Sequence, residues 1–293
     1  MKMLVFGSLN IDHTYRMPHL VRAGETLASA SYQRNAGGKG LNQTIALARA
    51  GQPVSMAGAI GEDGLFLKAY LDSFGVDTSL IRICEEATGH AIIQLDAEGQ
   101  NAIMLYGGAN QQMTKESVSD ALSGFGPGDY LLLQNEINCL DEIVRLAKEK
   151  GMKVILNPSP MSDSLPALLP QVDWLILNEV EGADLTGTSD PDAIVDALLA
   201  RYPACRIVLT LGTQGSMYAD GENRYFQPVI KVEAVDTTAA GDTFTGFFFQ
   251  SVLSGRDIPY ALRLAANASA IAVTRPGAGG SIPSLDEVLE KMK

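Results

Sequence analysis

The chain has 293 residues, 46% of them hydrophobic and 19% charged, a composition that excludes disordered and fibrous proteins. Its 22 lysines and arginines stand against 34 acidic residues, and the net charge of -12 argues against nucleic acid as the main partner. Three widely spaced cysteines, a first apolar run too short for a signal peptide, and no run of roughly 20 apolar residues predict a cytoplasmic protein outside the membrane.

Short apolar runs typical of β-strands alternate with longer helical patterns along the chain. The predicted strands are MLVFGS, VSMAGAIG, YLLLQNE, KVILNP, WLILNE and RIVLTLG, and the predicted helices include GLNQTIALARAG, LFLKAYLDSFG, IVRLAKEKG and AIVDALLARY. This alternation predicts one α/β domain over residues 1–293, with a mainly parallel sheet covered on both faces. Ligands of such sheets bind where the strands end, and polar residues stand there: Asn10, Asp12, Asn135, Glu136, Asn157, Asn178 and Thr210.

Two segments interrupt the alternation. Residues 88–107 have the pattern of two strands joined at DAEGQ, which is typical of a hairpin. Residues 11–36 are too long for a simple connection between a strand and a helix. Together they predict a small sheet that covers the site as a lid; the alternative is an extension at the edge of the main sheet.

A glycine-rich turn, NAGGKGLNQ, occupies residues 35–43 and leads into the first predicted helix. It lacks the spacing of a Walker A loop, and most such turns only tighten a connection. Its glycines would let a ligand approach the backbone, while Lys39 and Asn42 offer hydrogen-bond donors. Close approach together with donors indicates a polyhydroxylated ligand.

A second motif, VDTTAAGDTFTG, spans residues 235–246 and precedes a long apolar helix. A helix start accounts for one of its two aspartates, because an acid near the N-terminus suits the helix dipole. It does not account for the small residues at 239–241, which leave backbone N–H groups free to face an anion. The motif therefore predicts an anionic ligand.

Five motifs in this order and approximate spacing resemble the ribokinase family of sugar kinases: GSLNID at 7–12, GGKGLNQ at 37–43, NEVE at 178–181, TLGTQG at 210–215 and DTTAAGD at 236–242. The resemblance covers essentially the whole chain, and the last motif is the most specific. It implies a three-layer α/β/α sandwich with a small β-sheet lid. It also implies transfer of the γ-phosphate of ATP to a sugar hydroxymethyl group.

The resemblance also implies roles for individual residues. Asp242 is the expected proton acceptor, and the backbone N–H groups of Ala239, Ala240, Gly241 and Asp242 are expected to hold the phosphoryl group. The residues expected to bind sugar hydroxyls, together with Asp242, are Asn10, Asp12, Gly38, Lys39, Asn42 and Glu136. The alternative for Asp12 and Glu136 is that they only cap helices.

On the nucleotide side, the resemblance implies that Asn178 and Glu181 organise Mg²⁺ and its waters around the phosphates of ATP. Thr210, Gly212, Gly215 and Gly241 are expected along the nucleotide, with Asn267 near the adenine. A monovalent cation, K⁺, is expected at Asp236, Thr238, Ala272, Arg275, Gly277 and Ser281, although Pro276 and the extra glycines of RPGAGGS depart from the family pattern.

Within the family, NID and GGKGLNQ favour D-ribose as the acceptor, with ribose 5-phosphate as the product. The alternatives are a kinase for another sugar or a nucleoside, such as deoxyribose, fructose or pseudouridine, or a sugar-binding protein without catalysis. A dehydrogenase would need G-x-G-x-x-G after the first strand, which GSLNID does not provide. Exposed lid edges are expected to pair two chains into a homodimer.

Overall fold

The structure is a computed structural model that describes residues 1–293. Its strands are, in chain order, β1 (Met3–Phe6), β2 (Asn10–Arg16), β3 (Ser31–Gly37), β4 (Val54–Gly61), β5 (Asp77–Cys84), β6 (Gly89–Leu95), β7 (Asn101–Tyr106), β8 (Tyr130–Gln134), β9 (Lys153–Asn157), β10 (Trp174–Asn178), β11 (Arg206–Thr210), β12 (Gly215–Ala219) and β13 (Arg224–Pro228). Its helices are α1 (Lys39–Arg49), α2 (Leu65–Asp72), α3 (Lys115–Leu122), α4 (Leu140–Glu149), α5 (Glu179–Thr186), α6 (Pro191–Arg201), α7 (Ala240–Leu253), α8 (Ile258–Ala272) and α9 (Leu285–Lys291).

The main sheet has nine strands in the order β13-β12-β11-β10-β9-β8-β1-β4-β5. The seven neighbouring strands β11, β10, β9, β8, β1, β4 and β5 pair in parallel. At one side of the sheet, β12 and β13 are added in antiparallel pairs. The mainly parallel sheet predicted from the sequence is confirmed. The predicted strand runs did not include β5, β12 and β13. Exposed residues interrupt the apolar signal of β5 and β13, whereas β12 is largely buried but begins with Gly215 and Ser216, which shorten its apolar run.

Helices cover both faces of this sheet and bury two apolar cores. Alternate residues of β1 point to opposite sides: Leu4 and Phe6 join a core with α3–α6, while Met3 and Val5 join a core with α1, α2 and α7–α9. The three-layer arrangement expected from the resemblance is therefore present. No helix has both the length and the apolar character needed to cross a membrane.

The two segments that interrupt the alternation form a separate four-stranded sheet, ordered β3-β2-β6-β7. In it β2 pairs antiparallel with β3 and parallel with β6, and β6 and β7 form the predicted hairpin. The alternative of an extension of the main sheet is wrong, because these strands pair only with one another. We call this unit the small sheet; its action as a lid remains a prediction.

Candidate active site

The second aspartate of DTTAAGD lies in the first turn of α7. The residue before the helix, Ala239, has a φ of 59°, a left-handed conformation that is costly for a residue with a Cβ atom. Ala240 N–H donates to Thr237 O at 3.2 Å, so one of the N–H groups expected to hold a phosphoryl group is already committed. The N–H groups of Gly241 and Asp242 have no acceptor in the protein, and they lie at the positive end of the helix.

Two side-chain amides of α1 hold the Asp242 carboxylate. Gln43 Nε2 donates to Asp242 Oδ1 at 2.9 Å, and Asn42 Nδ2 donates to Asp242 Oδ2 at 3.2 Å. Burial raises the pKa of Asp242, against the opposing effects of the Lys39 charge and the two amide donors. The Asn42 pairing was not predicted, because DTTAAGD and GGKGLNQ are about 200 residues apart and only the fold brings them together.

The glycine turn packs against the chain itself. Gly38 has a φ of 95° and directly precedes α1, and a Cβ atom there would lie 3.0 Å from Asn10 N and Ser8 O. A Cβ atom on Gly40 would lie 2.5 Å from Ser8 N. These glycines therefore have a packing role, because they let α1 begin directly against the end of β1. That they also let a ligand approach the backbone stays a prediction.

Two carboxylates converge beside this turn. Glu136 Oε2 accepts hydrogen bonds from Ser8 Oγ and, at 3.1 Å, from Lys39 N–H, the first N–H of α1. Glu136 therefore caps α1, and whether it also binds sugar stays a prediction. Asp12 lies within β2 and caps no helix, so the alternative that it only caps a helix is wrong. Burial and the nearby charge of Glu136 raise the pKa of Asp12 to about 6. Burial also raises the pKa of Glu136, against the effects of Ser8 and Lys39.

Two further amides border the carboxylates. Asn110, which sequence reasoning missed, donates from Nδ2 to Asn10 Oδ1 at 2.7 Å and accepts from Leu9 N–H at 3.0 Å. It follows β7 in a short turn, GGANQ, that carries no helix or strand pattern. Asn42 Oδ1 is buried and has no hydrogen-bond partner in the protein. An unpaired buried acceptor next to Asp242 is a place where a ligand hydroxyl can donate.

A cavity of about 910 Å³ opens on the other side of Asp242. Its lining includes most residues expected to contact the nucleotide: Asn178, Glu181, Thr210, Gly212, Gly215 and Gly241. Asn267 does not line it; its side chain donates to Arg263 O at 2.9 Å within α8, and Ala266 and Ala270 face the cavity instead. The loop after β13, around Val229 and Val232, closes one wall and was not predicted, because it lacks a motif.

Asn178 and Glu181 form a capping box at the start of α5. Asn178 Oδ1 accepts from Glu181 N–H at 2.9 Å, and Glu181 Oε2 accepts from Asn178 N–H at 3.0 Å. The carboxylate is buried and lines the cavity. The pair therefore supports the helix and also places one negative charge at the cavity wall.

Asp236 joins two loops behind the first turn of α7. Its carboxylate accepts from Thr238 N–H at 2.9 Å and from Gly277 N–H at 2.8 Å. Although burial opposes it, these hydrogen bonds hold the pKa of Asp236 below its usual value, and no cationic side chain contributes. Of the other residues expected to bind a cation, Arg275 turns its guanidinium to Glu287 and Ser281 donates to Ala278 O.

Comparisons with known proteins show the family of the chain. A family model described as "pfkB family carbohydrate kinase" matches residues 1–285. The chain is 36% identical over 296 residues to the ribokinase of Haemophilus influenzae, covering 98% of this chain and 96% of that protein. It is 29% identical over 304 residues to the deoxyribokinase of Salmonella typhi, covering 99% and 98%. The structure of Arabidopsis thaliana ribokinase complexed with ribose and ATP superposes with a TM-score of 0.90 at 33% identity, covering 100% of this chain and 98% of that one.

Proposed function

The chain belongs to the pfkB family of carbohydrate kinases, and we propose that it phosphorylates the 5-hydroxyl of D-ribose with ATP to give ribose 5-phosphate. The observation that carries this proposal is the placement of Asp242. It lines the large cavity on one side, while Asn42, with its unpaired oxygen, contacts it from the other. A carboxylate between a nucleotide cavity and a hydroxyl-binding pocket is suited to a phosphoryl transfer between them.

The chemical step follows from this arrangement. The sugar hydroxyl oxygen attacks the γ-phosphorus of ATP, Asp242 takes up the hydroxyl proton, and the bond between the γ-phosphorus and the bridging oxygen breaks to release ADP. The free N–H groups of Gly241 and Asp242 stabilise the negative charge of the phosphoryl group during its transfer. Proton acceptance needs ionised Asp242, a state that Lys39, Gln43 and Asn42 favour against the cost of burial.

Sugar recognition is assigned to the groups around the glycine turn. The carboxylates of Asp12 and Glu136 accept from hydroxyls, and Asn42 Oδ1 accepts one more. Asn10 is held in place by Asn110. A sugar that leaves such groups unpaired loses roughly 1 to 3 kcal/mol for each one, so this set of groups selects for hydroxyl positions.

Glu181 and Asn178 suit Mg²⁺ bound with the nucleotide. One carboxylate and one amide at the cavity wall match an ion that keeps several waters and takes few protein ligands. When bound, Mg²⁺ neutralises charge on the phosphates of ATP. The protein's part is to keep Glu181 buried and oriented through the capping box.

We also propose a K⁺ site at Asp236. The carboxylate has a lowered pKa without any cationic side chain beside it, so its charge remains available for a monovalent ion. The Val273 carbonyl oxygen accepts from Val235 N–H at 2.7 Å, which ties the two loops together. Bound there, K⁺ adds positive charge behind the first turn of α7.

The small sheet is proposed as a lid over the site and as a dimer interface. The protein is proposed to be cytoplasmic, because its three cysteines are free and thiols stay reduced there. Its edge strand β7 exposes 55% of Ile103, 62% of Met104 and 60% of Leu105, an apolar edge that a second copy can cover. Light scattering at micromolar concentration is expected to give twice the 31.2 kDa chain mass. A monomer would contradict the dimer.

The substrate is tested by a coupled ADP-release assay with ribose, deoxyribose, fructose, adenosine and pseudouridine. D-ribose is expected to give the largest kcat/KM. A preference of about tenfold for another acceptor would replace ribose by that acceptor. Failure of every acceptor to release ADP above the ATP-only rate would favour a sugar-binding protein without catalysis.

A further inference from the structure

A chain of side-chain amides connects the ends of the central strands to Asp242. Gln134, at the end of β8, donates from Nε2 to Gln43 Oε1 at 2.6 Å. Gln43, on α1, donates from Nε2 to Asn157 Oδ1 at 3.1 Å and to Asp242 Oδ1 at 2.9 Å. Gln43 and Gln134 are both 0% exposed, so water does not compete for these hydrogen bonds.

The direction of every hydrogen bond in this chain is fixed. An ionised carboxylate only accepts, so Gln43 must present its NH₂ group to Asp242. Asn157 uses its own NH₂ group on Ile176 O at 3.0 Å, which leaves its oxygen to face Gln43. With both N–H groups of Gln43 engaged, its oxygen faces Gln134, which donates to it.

We infer that Gln43 is a positioning residue: it holds Asp242 in the orientation and the ionised state that proton acceptance requires, and Gln134 and Asn157 fix the amide of Gln43. The inference rests on the proposed role of Asp242 as the proton acceptor. Gln134 and Asn157 stand at the ends of β8 and β9 in the main sheet, and Gln43 stands on α1. Through their hydrogen bonds, these three side chains fix the position of Asp242 Oδ1.

The surroundings of Asp242 make its donors important. Lys39 is the cation that favours ionised Asp242, while Glu136 is a second carboxylate near enough for Asp242 to raise its pKa. Burial also opposes ionisation. Without the Gln43 amide, the remaining donor is Asn42, so the carboxylate would bind its proton more tightly.

The test compares Gln43→Met, Gln43→Glu and wild type by rapid-quench measurement of ribose phosphorylation from about pH 5 to pH 9. Both replacements keep the length of the side chain. With Gln43→Met, the acid limb of the single-turnover rate is expected to move up by about one to two pH units, since a donor to a charged group is lost. Gln43→Glu is expected to move it further, because a second carboxylate then faces Asp242.

KM for ribose and for ATP is expected to stay within about threefold in these variants, since Gln43 does not itself line the cavity and reaches it only through Asp242 and Asn157. Thr44→Val is the matched control: Thr44 is equally buried on α1, but its hydroxyl donates to Gly40 O at 2.7 Å within the helix. Its acid limb is expected to match wild type. Thermal melting of each variant shows whether the fold is retained.

An unchanged acid limb and rate in Gln43→Met, in a wild type that phosphorylates ribose, overturns the inference and leaves the proposed function intact. A wild type inactive on ribose overturns the proposed function instead. If the Gln43 variants do not fold, Gln134→Met tests the inference in their place. Its acid limb is expected to move up by less than that of Gln43→Met, because only the Gln43 oxygen loses its donor. Failure of Gln134→Met to fold as well contradicts the inference, because the amides would then serve the core.

Discussion

The two sheets of this enzyme have opposite surroundings. In β8 of the main sheet, Leu131, Leu132, Leu133 and Gln134 are all 0% exposed, whereas every residue of β7 in the small sheet is exposed. Parallel strands with both faces covered are fixed by packing on two sides. A four-stranded sheet with an exposed edge has fewer contacts to hold it, and it is suited to moving or to meeting a partner.

In the proposed function, the two sheets have different roles. Asp242, the proposed proton acceptor, and its amide donors belong to the packed main sheet and its helices. Asp12, which is proposed to bind the sugar, belongs to β2 of the small sheet. Replacing Asp242 should therefore lower kcat, and replacing Asp12 in the small sheet should weaken sugar binding.

The largest effect is expected from Asp242→Asn, which keeps the size of the side chain and removes the proton acceptor. Loss of a general base costs about 10² to 10⁴ in rate, so kcat should fall by that order while ATP binding, measured by calorimetry, is retained. Asp141→Asn is the matched control, since Asp141 is an exposed acid in the first turn of α4 and should leave kcat unchanged. Near-normal kcat in Asp242→Asn would show that Asp242 is not the proton acceptor.

A smaller effect, on a different constant, is expected from Asp12→Asn. A hydroxyl hydrogen bond to a carboxylate contributes about 1.5 to 3 kcal/mol, so KM for ribose should rise roughly 10- to 100-fold while KM for ATP stays constant. In wild type, KM for ribose should also rise as the pH falls below about 6, where Asp12 becomes protonated. A drop in kcat with unchanged KM for ribose would contradict the division between the two sheets.

Replacing K⁺ by Na⁺ at constant ionic strength should lower kcat several-fold, because the ion contributes charge near the anion-binding turn. Asp236→Asn should show the same loss and little further response to K⁺. Steady-state rates in the two salts, and in Tris alone, measure the effect. Equal rates in all three would reject the cation site at Asp236.

The smallest effect is on stability. Asp12 is a poorly solvated acid whose pKa rises from 3.8 to about 6 on folding, so it contributes stability below pH 3.8 that is lost as the pH rises through 6. Asp12→Asn should therefore raise the Tm of the ligand-free protein by a few degrees at about pH 8, and the gain should shrink toward about pH 4. A lower Tm at about pH 8 would show that ionised Asp12 stabilises the small sheet.

The parts predicted well from the sequence were those with a local signal. Continuous apolar runs revealed the central strands, and DAEGQ between two alternating segments revealed the β6–β7 hairpin. The edge strand β13 was missed because its residues are mostly exposed, and its neighbour β12 was missed because Gly215 and Ser216 shorten its apolar run.

Within the site, motifs indicated which residues lie close together but not which atoms form hydrogen bonds. Gln43 stood in a recognised motif, yet its hydrogen bond to Asp242 depends on how α1 packs against α7. Asn110 stood in no motif at all. The glycines of the turn stood in a recognised motif, but only the backbone geometry shows that Gly40 packs against Ser8.

The proposed activity is tested most directly by the identity of the product. The purified protein is incubated with ATP, Mg²⁺, K⁺ and D-ribose, and the sugar phosphate is identified by phosphorus NMR. We expect a phosphate ester coupled to the two protons of the ribose C5 methylene, in amounts equal to the ADP formed, and at most about one hundredth as much ester from Asp242→Asn in the same time. ADP formed without a sugar ester, or an ester at another hydroxyl, would contradict it.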